Sequence, residues 1–176
     1  MNYASIKPVD VANGTGVRVS LFVSGCTHRC KGCFNSEAWD FDYGDLYTDE
    51  TQKYILSCLD KTYIRGLSLL GGEPFDPHNQ DTLIKLLKEV KEKFPQKDIW
   101  CYTGYDFDKD LNGEFAEKNK STSELLSMID ILVDGEFVLA LKNPSLKFRG
   151  SSNQRIIDVQ ASLKSGETVL CDLDKI

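Results

Sequence analysis

Histidine, methionine and tryptophan are scarce in this chain of 176 residues, at 2 each, and its 21 basic residues are outnumbered by 27 acidic ones. So little histidine leaves conventional acid–base catalysis few candidates. The formal charge is −6 and the basic residues are interspersed with acidic ones, so the positive surface that nucleic-acid binding requires is missing. No stretch approaches the roughly 20 consecutive apolar residues of a membrane span. The opening MNYASIKPVDVANG lacks the basic and apolar regions of a secretory leader. These absences predict a cytoplasmic protein with neither a nucleic-acid nor a membrane partner.

What remains suits one domain over residues 1–176, with 41% hydrophobic residues to build its core. Residues 17 to 24, VRVSLFVS, read as a buried strand stopping at Gly25. Thr48 caps a helix with Tyr54, Ile55, Cys58 and Leu59 on one face. A second strand near Leu67 to Leu70 stops at Gly71-Gly72, and Asn79 opens a helix that Pro95 closes. DIWCY, residues 98 to 102, is a third strand. Ser121 and Glu124 form a capping-box pattern before a fourth strand, Ile131 to Val133, which ends at Asp134-Gly135. Alternation of this kind predicts an α/β fold in which parallel strands are joined by helices, with the strand-end loops gathered on one side. A complete eight-unit barrel needs roughly 200 residues or more, so a barrel here is truncated. Beyond residue 140 the pattern weakens and assigns no architecture.

Six cysteines are present, and three of them crowd into GCTHRCKGC. Clustered thiols in a chain without a secretory leader favour metal binding over disulfides. The C-x-x-x-C-x-x-C spacing lets one loop, with small glycines, wrap three corners of a cube-shaped iron–sulfur cluster. Ordinary electron-transfer clusters take four cysteines, so three leave one iron open to a ligand. The spacing alone also admits a zinc site completed by His28, or an electron-carrying module that draws on Cys58, Cys101 or Cys171. Those three thiols read better as core or terminal residues, and His28 and His78 as structural ones. In Leu70-Gly71-Gly72-Glu73-Pro74 the diglycine is either an ordinary turn or a place where backbone meets a ligand's ammonium group.

Cys26, Cys30 and Cys33 followed by the aromatic Phe34, together with GGEP, resemble the signature of the radical S-adenosylmethionine enzymes. The runs NGTGVR, LFVSGCTHRCKGCFN, KDIWCYTGY, LVDGEF and LKFRGSSNQR resemble, more narrowly, the family of proteins that activate anaerobic ribonucleoside-triphosphate reductases. Thr15 and Phe34 stand where that family commonly has proline and tyrosine, both mild departures. The resemblance implies an α/β fold of the truncated (partial) β/α barrel type. It also implies a 4Fe-4S cluster held by Cys26, Cys30 and Cys33, with S-adenosyl-L-methionine on the fourth iron. Gly32, Cys33, Phe34, Gly71, Gly72 and Glu73 are the implied cofactor-binding residues, and no side chain acts as a catalyst in its own right. The implied partners are the large subunit of the reductase, which receives a glycyl radical, and a reduced flavodoxin or ferredoxin as electron donor. The family of pyruvate formate-lyase activators shares the chemistry and is the nearest alternative. Asp134, Gly135, Arg149 and Arg155 are either structural or contacts to a partner or nucleoside.

Overall fold

A computed structural model describes residues 1–174. It is a mixed α/β structure around one open sheet of seven strands, in the order β3-β1-β2-β4-β5-β6-β7. The strands are β1 (Asn2–Asp10), β2 (Val17–Val23), β3 (Asp45–Leu46), β4 (Ile64–Gly71), β5 (Asp98–Tyr102), β6 (Ile131–Asp134) and β7 (Arg155–Asp158). The helices are α1 (Asp49–Leu59), α2 (Pro77–Lys93), α3 (Phe115–Lys118), α4 (Lys120–Ser127) and α5 (Val159–Ser165). No helix among the described residues is long and apolar enough to cross a membrane.

The four strands expected from sequence, β2, β4, β5 and β6, are the parallel centre of the sheet. Their alternation decides what covers each face. Val19, Leu21 and Val23 of β2 align with Leu67 and Leu69 of β4, Ile99 and Cys101 of β5 and Leu132 of β6, and all are buried with the apolar sides of α1, α2 and α4. Helices therefore pack on that face. Arg18, Ser20, Ser68, Trp100 and Val133 point to the other face, which the loop after β1 and the segment after β6 help to cover. Trp100, Ile131, Val133 and Ile156 form a second, smaller apolar cluster there, with Phe148 against it.

Arg18 anchors this second face. It is fully buried and pairs with Asp98 at 2.5 Å. It also donates to Ser68 Oγ at 2.7 Å and to the Leu67 carbonyl at 2.9 Å, and its guanidinium lies 5.4 Å from the Trp100 ring centroid. One side chain thus ties β2, β4 and β5 together. Gly66, opposite Arg18 in the sheet, leaves the room this needs, because a Cβ there would overlap the Asp98 carbonyl.

The structure departs from the sequence expectations at several boundaries. Strands β1, β3 and β7 were not anticipated. All three pair antiparallel, and β1 is half-exposed and broken by Lys7, Pro8 and Asp10, so its alternation is weak. Helix α2 begins at Pro77 rather than Asn79, because Asp76 caps it through the His78 N–H. The Asn79 amide is used elsewhere, donating to the carbonyls of Ser24 and Glu73. The Ser121–Glu124 capping box does not form, since Ser121 lies inside α4 and bonds Asp81 instead. Thr48 does cap α1, in a reciprocal box with Thr51. Tyr54 is more exposed than the face it was assigned to.

Gly66→Ala is expected to destabilise the protein by about 1–3 kcal/mol through overpacking. At Gly166 nothing lies within 4 Å of an added Cβ. Gly166→Ala therefore carries only its left-handed backbone strain, about 1–2 kcal/mol. Urea titration of both variants measures the two losses.

Candidate metal and cofactor site

Both glycine turns owe their sequence to the close approach of two strand ends. Gly25 ends β2 with φ +91°, and the Phe41 ring occupies the space a Cβ would need. Gly71, at φ +109°, abuts the Val23 carbonyl, and a Cβ on Gly72 would lie 2.5 Å from the Gly25 carbonyl oxygen. The Gly72 N–H donates to Val23 and the Glu73 N–H to Gly25, each at 2.7 Å. The diglycine thus lets the cysteine loop and the β4 turn lock backbone to backbone. The sequence left the diglycine open between an ordinary turn and a ligand contact, and did not anticipate the contact with the neighbouring loop.

Beyond Gly25 the loop carries Cys26, Cys30 and Cys33 along one side of a cavity of about 420 Å³. Gly71, Gly72, Glu73, Tyr102, Thr103 and Gly104 line it from β4 and β5, and Phe137, Leu146, Phe148 and Arg149 from the segment after β6. Arg29, at φ +51°, and Gly32, at φ +78°, reverse the chain between the thiols. The Asn35 N–H donates to Cys33 at 3.4 Å, and the backbone amides of His28 and Arg29 near Cys26 and of Phe137 near Cys30 favour the negative form of those sulfurs. Hydrogen bonds of this kind stabilise negative sulfur, so the three thiols fit an iron–sulfur cluster. Without a cation on it, Cys26 stays a thiol, because burial and the nearby Glu73 push its pKa up to about 11. Burial also raises Cys30. Among the described residues no three His, Cys, Asp or Glu side chains converge on one point suited to a single ion. Thiolates that each serve a different iron of a cube need no such convergence.

Cys58, Cys101 and Cys171 are free thiols outside the cavity lining, as expected. Phe34 stands at the rim with 83% of its surface exposed. The Glu73 side chain is 1% exposed and its carboxylate is occupied by the protein. It accepts from the Phe75 N–H at 2.9 Å, and from Thr103 Oγ1 and the Gly104 N–H at 2.8 Å. The turn therefore offers the cavity its backbone, with Glu73 bracing it from behind.

His28 projects from the cysteine loop onto the same carboxylate. Its Nε2 lies 3.1 Å from Glu73 Oε2, an ionic approach off the N–H axis, and its Nδ1 lies 3.0 Å from Glu136 Oε1. Burial opposes a charged imidazole, but the two carboxylates outweigh it and raise the pKa to about 9. His78 bonds only Asp76, at the start of α2. His78 does not line the cavity.

Comparison with known proteins agrees with this geometry. A family model described as a 4Fe-4S single cluster domain matches residues 12–157. The chain is 45% identical over 158 residues to the anaerobic ribonucleoside-triphosphate reductase-activating protein of Haemophilus influenzae, covering 89% of this chain and 97% of that one. The chain belongs to the family of anaerobic ribonucleoside-triphosphate reductase-activating proteins. Identity is 46% to the Vibrio cholerae member, over the same shares. It is 42% to the member from bacteriophage T4, covering 89% of this chain and 93% of that one. As an activating protein of this kind, the chain is an enzyme built around a 4Fe-4S cluster and S-adenosylmethionine.

The segments DGEF and RGSSNQR, ambiguous in the sequence, build the wall that faces the cysteines. Asp134 is buried and accepts from Arg155 Nη2 at 2.5 Å and from the Phe107 N–H at 2.9 Å. Arg155 reaches on to Asp108 at 2.7 Å, and these carboxylates hold it more firmly charged than usual. Gln154 accepts from the Gly150 and Ser151 N–H groups and donates to the Gly135 carbonyl. Arg149 donates to the Gln154 carbonyl. The cavity residues Asn13, Tyr102 and Phe148 were not singled out from sequence. A polar or aromatic side chain at alternate positions of an otherwise apolar strand, as at Arg18 and Tyr102, was the available signal.

Arg155→Met leaves Asp134 buried without its cation. It is expected to destabilise the fold by about 2–4 kcal/mol. Chemical denaturation at pH 7 measures this, and Arg155→Lys should recover only part because Lys cannot fork between Asp134 and Asp108.

Proposed function

We propose that this chain activates an anaerobic ribonucleoside-triphosphate reductase by forming a glycyl radical on its large subunit. One observation carries the reading. Three thiols share a cavity with a glycine turn, and no other cysteine among the described residues lines it. When bound, a reduced 4Fe-4S cluster with one open iron supplies the electron that cleaves S-adenosylmethionine, and the resulting 5′-deoxyadenosyl radical takes hydrogen from a glycine of the reductase.

In this reading Cys26, Cys30 and Cys33 are the metal ligands. Gly32, Cys33, Phe34, Gly71, Gly72 and Glu73 shape the cofactor end of the cavity. The Gly72 and Glu73 N–H groups are already spent on the Val23 and Gly25 carbonyls. What the turn offers a ligand is carbonyl oxygen, the partner an ammonium group requires. Phe34, Leu146 and Phe148 supply apolar walls, which limit water around a reactive intermediate. No general acid or base is needed for this chemistry.

The open sheet with helices on one face supports reading the chain as a partial β/α barrel, and as one domain over 1–176, of which the last two residues lie outside the described ones. An open side suits a substrate that is a loop of another protein. A reduced flavodoxin or ferredoxin fits as the one-electron donor. Six unbridged cysteines and an oxygen-sensitive group fit the cytoplasm.

Anaerobically reconstituted protein is expected to carry about four irons, and Cys26→Ser, Cys30→Ser or Cys33→Ser to lose them, while Cys58→Ser, Cys101→Ser and Cys171→Ser keep them. Mixing the reduced protein with S-adenosylmethionine and the reductase should then give a glycyl signal by electron paramagnetic resonance. Its absence from the reductase, or its appearance only with another glycyl-radical enzyme, would overturn the assignment.

A further inference from the structure

Four loops follow the parallel strands on the cavity side, and all four meet at one imidazole. His28 sits in the loop after β2, between Cys26 and Cys30. Glu73, in the turn after β4, lies 3.1 Å from its Nε2, and Glu136, after β6, lies 3.0 Å from its Nδ1. The loop after β5 closes under the ring. Gly104 has no side chain where a Cβ would come within 2.6 Å of the imidazole, and Tyr105 packs edge-on with ring centroids 4.6 Å apart. The His28 side chain is 11% exposed.

We propose that His28 is a positioning residue, holding the three-cysteine loop in register with the Gly71–Gly72 turn through Glu73 and with the wall after β6 through Glu136. The inference rests on the functional reading above and deepens it. An imidazole is suited to the task because its two nitrogens point in fixed, divergent directions. With a carboxylate on each, the ring cannot turn without losing a partner. Glutamine reaches only one of the two, and lysine carries its donors at one point on a flexible stem. Glu73 is itself immobilised by Phe75, Thr103 and Gly104, so His28 is fastened to a fixed point. The ring therefore sets where Cys26 and Cys30 stand relative to the turn.

The test uses cluster-loaded full-length protein and S-adenosylmethionine as the probe. His28→Gln keeps all three cysteines and is expected to load iron as the unaltered chain does. It should bind S-adenosylmethionine with a Kd raised about tenfold, the scale of one charge-assisted hydrogen bond. The spectral change that S-adenosylmethionine causes in the reduced cluster should weaken in parallel. Combining His28→Gln with Glu73→Gln should cost less than the two added, because both break one linkage. Loss of iron or thermal stability with an unaltered Kd in the loaded fraction would mean a purely structural histidine, and would overturn the proposal. Should His28→Gln not fold, Glu136→Gln removes only the more exposed arm. It should raise the Kd about two- to threefold on the same scale, and an unchanged Kd there overturns the proposal equally. If the unaltered chain loads iron but binds no S-adenosylmethionine, the functional reading itself has failed.

Discussion

The backbone lock between two strand ends is the constraint on which the site depends. β2 and β4 are adjacent and parallel, so their C-terminal turns emerge side by side, and the short bonds from Gly72 to Val23 and from Glu73 to Gly25 draw them together. The Phe41 ring excludes a side chain at Gly25, and such closeness excludes side chains at Gly71 and Gly72. It also places the first cysteine next to the diglycine turn. Glu73 then extends the lock sideways to β5, through Thr103 and Gly104. A buried carboxylate with several donors is favourable only while all of them stay in place, so the network is cooperative.

The two faces of the sheet divide the work of folding and function. Helices and aliphatic side chains fill one face, and that packing supplies the larger part of the core. The opposite face holds the buried polar side chains Arg18, Ser20 and Ser68, and it opens upward into the cavity. Polar groups there are satisfied by neighbouring strands and by the loop after β1, as in the Ser20–Asp10 and Ser68–Asn13 bonds. Stability is thus secured by the helix-covered side, leaving the other free to carry a hollow.

The segment after β6 completes that hollow. Asp134 and Arg155 clamp its two ends across the antiparallel β6–β7 pair, and Gln154 gathers the turn between them. Between those clamps, Phe137 lines the cavity with Cys30 and Phe148 packs on Trp100. A stretch to which the sequence assigns no architecture is therefore held at both ends and in contact with the three-cysteine loop.

The central strands, α1, α2 and the three-cysteine loop were legible in the residues because each depends on local pattern: alternation, helical period, caps and thiol spacing. Thr48 and the DIWCY strand are cases where local chemistry sufficed. Strands β1 and β7 were not legible, since β1 is half-exposed with an irregular register and β7 has only four residues. Asp76 rather than Asn79 caps α2 because Asn79 is drawn to Ser24, 55 positions earlier. By itself, then, the sequence determined the three-cysteine spacing of Cys26, Cys30 and Cys33 and the family to which the chain belongs, because residue type and spacing are properties of one short segment. Only the tertiary structure decided that the glycines serve loop-to-loop contact, that Glu73 is a brace, and that His28 joins four loops. Those roles are made of contacts between residues 30 to more than 100 positions apart, and no local pattern encodes such a distance.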